Sequence, residues 1–143
     1  MMKRHNVAIC RFALGLLLPW LALTSLISAA NAEQDETVIL AFGDSLTAGY
    51  GLPNDEAFPA QLEAALRQRG YKVRIVNAGV SGDTTMAGLR RLDWALTDEP
   101  DAVIVELGGN DALQGLPPEA TKKALSEILE KLKSQELPVL LAG

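Results

Sequence analysis

The stretch "TVILAFGDSLTAG", Thr37 to Gly49, joins two kinds of sequence in one line. Val38 to Phe42 is an unbroken apolar run, as expected of a strand buried on both faces of a parallel sheet. "GDSLTAG" then puts glycines, an aspartate and one serine where the strand must turn into the next element. Ser45 reads as either a turn residue or a nucleophile on a strand-to-helix turn. A nucleophilic serine needs a base and donors aimed at the oxyanion.

Downstream, short apolar runs alternate with amphipathic ones. "FPAQLEAALRQRG" sets Phe58, Leu62, Ala65, Leu66 and Arg69 at helical spacing. "YKVRIVNAG" gives a second strand over Val73–Asn77, and its alternating Lys72 and Arg74 point to an edge. "TTMAGLRRLDWAL" places Met86, Leu89, Leu92 and Leu96 on a helix stripe, weakened by Gly88. "DAVIVELG", Asp101 to Gly108, is a third strand. "PPEATKKALSEILEKLKSQ" is a helix with Leu125, Ile128, Leu129 and Leu132 as its apolar stripe. Glu119/Lys123 and Glu127/Lys131 are its expected i, i+4 pairs. "PVLLAG" is a fourth strand, an aggregation hazard if left without a neighbour.

Strands alternating with helices predict an α/β domain with a parallel sheet. Ligand sites in such sheets lie beyond the carboxyl ends of the strands. Three loops meet there: "GDSLTAG", "NAGVSGDTT" and "GGNDAL". The Ser45 N–H, the Gly82 N–H and the Asn110 amide are the candidate oxyanion donors. Gly79 is a turn glycine and a weaker donor candidate. Asn110 also fits a local cap, and Asp44 fits the role of ordering the turn. Asp83 and Asp111 are poor bases for a serine hydroxyl at an ordinary carboxylate pKa. Glu106, inside a strand, needs a buried partner. Trp94 and Tyr50 fit core or rim equally well.

The chain start has a different character. Lys3, Arg4 and Arg11 precede an uncharged apolar run, Phe12 to Ile27, and Ala30-Asn31-Ala32 follows. That order predicts a secretory signal peptide over residues 1–32, cleaved after Ala32. The run is short of the ~20 residues of a spanning helix, so no stable membrane anchor is expected. Residues 33–143 then form the domain, located in the periplasm. Cys10 and His5, the sole cysteine and histidine, leave with the leader. Ten Lys/Arg remain against 18 acids, a net charge of −8. Such a surface argues against nucleic acid as a partner. The sequence has no Walker loop, no dinucleotide-binding glycine pattern and no metal-spaced cluster.

Together "GDSL", "NAGVSGDTT" and "VELGGND", each after an expected strand, resemble the SGNH, or GDSL, hydrolase superfamily. The likeness runs from Thr37 to Gly143 and is strongest to the bacterial secreted arylesterase and acyl thioesterase/lysophospholipase branch. It implies a flavodoxin-like three-layer α/β/α sandwich without metal or cofactor. It implies Ser45 as the nucleophile, with the oxyanion held by the N–H groups of Ser45 and Gly82 and by Asn110. Small acyl esters or thioesters are the implied substrates, through an acyl-enzyme. The superfamily carries its base and orienting carboxylate in an Asp-x-x-His block near the C-terminus. That block does not occur in these 143 residues, so the chain reads as the N-terminal, four-stranded portion of such a domain. Two other readings stand beside this one. One is a non-catalytic product without its histidine. The other is a receiver domain with Asp44 as its acidic site, which the secretory leader opposes.

Overall fold

The computed structural model describes residues 36–142; the expected leader, with Cys10 and His5, lies outside them. β1 (Thr37–Gly43) leads into a single helical turn, α1 (Ser45–Ala48), and a loop leads to α2 (Phe58–Gln68). β2 (Val73–Gly79), α3 (Thr85–Ala95) and a 3₁₀ turn at Leu96–Asp98 follow. β3 (Ala102–Glu106), α4 (Gly109–Leu113), α5 (Pro118–Ser134) and β4 (Val139–Ala142) complete the order. The strands pair in parallel in the order β2-β1-β3-β4. This is the α/β architecture expected, with β2 at one edge as its charge pattern predicts.

Alternation along the strands sends neighbouring side chains to opposite faces. Leu40, Phe42, Val103 and Val105 face α3 and α5, where they pack with Leu92, Ala95, Ile128 and Leu132. Ile39, Ala41, Val73 and Ile75 face the other way and pack with Leu62 and Leu66 of α2. The sheet is thus the middle of three layers.

Three sequence patterns resolve differently from expectation. On α2, Phe58 and Ala65 are exposed, Leu62 and Leu66 pack on the sheet, and the β2 backbone is met by Glu63, which accepts from the Ile75 N–H, and Arg67, which donates to the Val73 carbonyl. On α3, Leu89, Leu92 and Leu96 pack on the core as expected, but Met86 faces outward, and Thr85, Gly88 and Ala95 are buried beside Leu92. A Cβ at Gly88 would lie 2.6 Å from Leu107 Cδ1, so the bare glycine lets the helix sit close on the end of β3. On α5, Lys123 pairs with Glu127, and Lys131 reaches Asp93 of α3 because the two helices pack side by side. β4 pairs with β3 and forms the second edge, with Leu140 largely exposed. Trp94 and Tyr50 both lie on the surface.

Candidate active site

β1 connects to β2 on one side, and the chain then crosses to β3 on the other. That reversal opens a crevice at the carboxyl ends of β1 and β3. Asp44 stands on the first strand's turn, and Gly108, Gly109 and Asn110 follow β3. Asp44 is 2% exposed and caps α1 by accepting from the Leu46 N–H at 3.0 Å. Its second oxygen accepts from Asn110 Nδ2 at 3.0 Å. Ser45, the first residue of α1, is half-buried beside it.

The loop after β2 is built on the same floor. Val80 N–H donates to the Gly43 carbonyl at 3.0 Å, and Asp83 N–H donates to the Val80 carbonyl at 3.1 Å. Gly82 holds the third place of that four-residue turn with φ +88°, a position that favours glycine. A Cβ there would meet no atom within 4 Å, so the requirement is conformational and the space above Gly82 is open. Gly79 differs. A Cβ there would lie 2.1 Å from Ala48 N, so its lack of a side chain serves the packing of α1 on β2.

Asn110 ties the loops together. Its Nδ2 donates to Asp44 Oδ2 and, at 2.9 Å, to the Asp83 carbonyl. Both amide hydrogens point at acceptors in this state. An incoming oxyanion gains this donor by sharing or displacing one of those contacts.

The other acids are engaged. Asp111, 3% exposed, accepts from the Thr85 N–H and hydroxyl and from the Thr121 hydroxyl, linking α3, α4 and α5. Burial pushes its carboxyl up, but the Thr85, Thr121 and local backbone hydrogen bonds outweigh burial and hold it below the ordinary range. Glu106 accepts from the buried Thr47 hydroxyl at 3.0 Å. Burial raises its carboxyl above the ordinary range; the Thr47 bond opposes that and the Asp44 charge adds to it. Asp83 forms a close ion pair with Arg91. Sequence reasoning assigned no role to Thr47, Thr85 or Arg91. Arg91 had a signal: it stands three residues after Gly88 and four before Ala95, both buried on α3. Among the described residues there is no histidine and no group of acids, histidines or cysteines able to hold a metal.

A three-layer fold with a serine, a turn glycine and an asparagine gathered at the switch point defines a class. Residues 41–143 match the model of the GDSL-like lipase/acylhydrolase family, and the chain belongs to that family. It is similar to an arylesterase of Vibrio mimicus, 39% identical over 80% of this chain and 57% of the relative. It is also similar to thioesterase 1/protease 1/lysophospholipase L1 of Escherichia coli, 41% identical over 87% of this chain and 57% of the relative. Among solved structures, the SGNH-hydrolase family esterase AlinE4 superimposes with a TM-score of 0.72 at 55% identity, over 75% of this chain and 58% of that one. The chain thus spans a little under three fifths of these relatives' length. Among the described residues no helix is long and apolar enough to cross a membrane.

Proposed function

We propose that the protein is a serine hydrolase of small carboxylic esters or thioesters, acting in the periplasm after cleavage of its leader behind Ala32. Ser45 Oγ attacks the acyl carbonyl as its proton passes to a general base, which is not a histidine of residues 36–142, and that base returns the proton to the leaving group. The oxyanion forms against the Ser45 N–H, the Gly82 N–H and Asn110 Nδ2. The alcohol or thiol leaves, and water releases the acid from the acyl-enzyme. One observation carries this reading: Asn110 Nδ2 bridges Asp44, next to Ser45, and Asp83, next to Gly82. All three proposed donors therefore belong to one hydrogen-bonded unit. The exposed apolar side chains Leu46, Tyr50 and Leu113, close in sequence to Ser45 or Asn110, support an acyl-bearing substrate. Kinship with an arylesterase and a thioesterase/lysophospholipase supports the ester and thioester classes.

A second reading is favoured by the lack of histidine among residues 36–142: the 143-residue chain alone is catalytically silent. Loss of the base removes most serine-hydrolase activity, and ~10³–10⁴ over water can persist from the oxyanion hole and binding. Assaying p-nitrophenyl short-chain esters and acyl thioesters tests both readings. The product of the whole gene turns over both substrates, and the 143-residue chain does so far more slowly. No turnover by the whole-gene product rejects the hydrolase reading.

A further inference from the structure

We propose that Arg91, through its pair with Asp83, is a positioning residue that aims the Gly82 and Asn110 donors at Ser45. The inference rests on the hydrolase reading above and deepens it. Arg91 lies on α3 and has no hydrogen bond to the three proposed donors, yet its guanidinium reaches the ends of β1 and β2, which carry Ser45 and Gly82, and the side chain of Asp83, whose carbonyl holds Asn110. Nε donates to Asp83 Oδ2. Nη1 donates to the Ala78 carbonyl at 2.9 Å, at the end of β2. Nη2 donates to the Gly43 carbonyl at 2.9 Å, at the end of β1. The guanidinium carbon stands 4.3 Å from the centroid of the Phe42 ring, so an aromatic face holds the fork in place.

The consequences for the turn are specific. Gly43 O accepts from both Arg91 and the Val80 N–H, which starts the turn bearing Gly82. Asp83 ends that turn and is held by its side chain to Arg91, while its carbonyl accepts from Asn110. Arg91 thus grips the turn at both ends and fixes the acceptor that orients Asn110. The two side chains are only 17% and 13% exposed, so the pair is weakly screened. A lysine has one point charge and no planar fork, and it cannot meet three diverging acceptors in this geometry.

The test uses the product of the whole gene. Arg91→Met lowers kcat by about 10²-fold while KM stays within about twofold, because misaimed donors weaken only the transition state. Affinity for an alkylboronic acid, a tetrahedral anionic mimic, falls in proportion to kcat. Asp83→Asn, a smaller change in volume and shape, gives the same kcat-selective loss. The double variant is no worse than the poorer single one, as expected of groups that act as a unit. Arg91→Lys recovers only part of the activity. A lowered melting temperature with kcat, KM and boronate affinity all unchanged overturns the proposal, as does additive loss in the double variant. Nitrogen-15 spectra supply a readout free of catalysis. The Gly82 amide and Asn110 side-chain signals shift in Arg91→Met and Asp83→Asn; unchanged signals overturn the proposal. If the unaltered protein hydrolyses no ester while those signals shift, the hydrolase reading fails and the positioning of the two amides by Arg91 stands.

Discussion

Asn110 Nδ2 donates to Asp44 Oδ2 at 3.0 Å, which ties the loop after β3 to the turn that carries Ser45. The same nitrogen reaches the Asp83 carbonyl at 2.9 Å. One side chain therefore spans all three loops that the motif order brings to the sheet's end.

Removing that amide tests its part in the reaction. Asn110→Ala is expected to raise the barrier by ~2.7–4 kcal/mol, as loss of an oxyanion donor does. In steady-state kinetics on the whole-gene product, kcat falls and KM changes little. A loss under tenfold would assign Asn110 to holding the loops together and nothing more.

Glu106 predicts a pH-dependent stability. Its carboxyl is raised above the ordinary range, chiefly by burial, so the folded chain favours the protonated form. Its stabilising contribution is complete below the unfolded value and is lost as pH rises through the folded value. Glu106→Gln keeps an oxygen for the Thr47 hydroxyl and removes the charge next to Asp44. The variant's gain in melting temperature over the parent is therefore small at about pH 4 and larger at about pH 8. A gain that shrinks as pH rises would show that the ionised carboxylate is the form the fold prefers.

Asp111 predicts the opposite slope. Its carboxyl is held below the ordinary range because hydrogen bonds from Thr85 and Thr121 outweigh its burial. The stability it contributes is present above the unfolded value and lost as pH falls through the folded one. Asp111→Asn should cost about 1–3 kcal/mol near neutral pH, where a buried charge-assisted network loses its acceptor. Denaturant unfolding should show that cost narrowing toward about pH 3. A cost independent of pH would mean that charge is not what the threonines hold.

Much of the fold was legible in the sequence because its signals are local. Val38–Phe42 and Val103–Val105 are apolar without a break, and that marks central strands. The charged alternation of Lys72 and Arg74 marks β2 as an edge. Helix faces were less legible, since they depend on what each helix meets. Met86 lost its expected place to Gly88, whose missing side chain lets α3 close on Leu107. Lys131 left its expected i, i+4 partner for Asp93, on a helix 38 positions away. At the candidate site, motif order pointed to the loops of Ser45, Gly82 and Asn110, and the hydrogen bonds of Asn110 to Asp44 and Asp83 join those loops. Thr47, Thr85 and Arg91 were not, because their meaning lies in partners such as Glu106, Asp111 and Gly43 that only the fold supplies.

Covalent trapping shows whether Ser45 is the residue that attacks the acyl carbon. The whole-gene product is incubated with a p-nitrophenyl alkylphosphonate, and the adduct is located by peptide mass spectrometry. The expected result is one phosphonyl group on Ser45, loss of ester turnover in step with labelling, and neither labelling nor turnover in a folded Ser45→Ala variant. An adduct on another residue, or a Ser45→Ala variant that keeps its ester turnover, would contradict it.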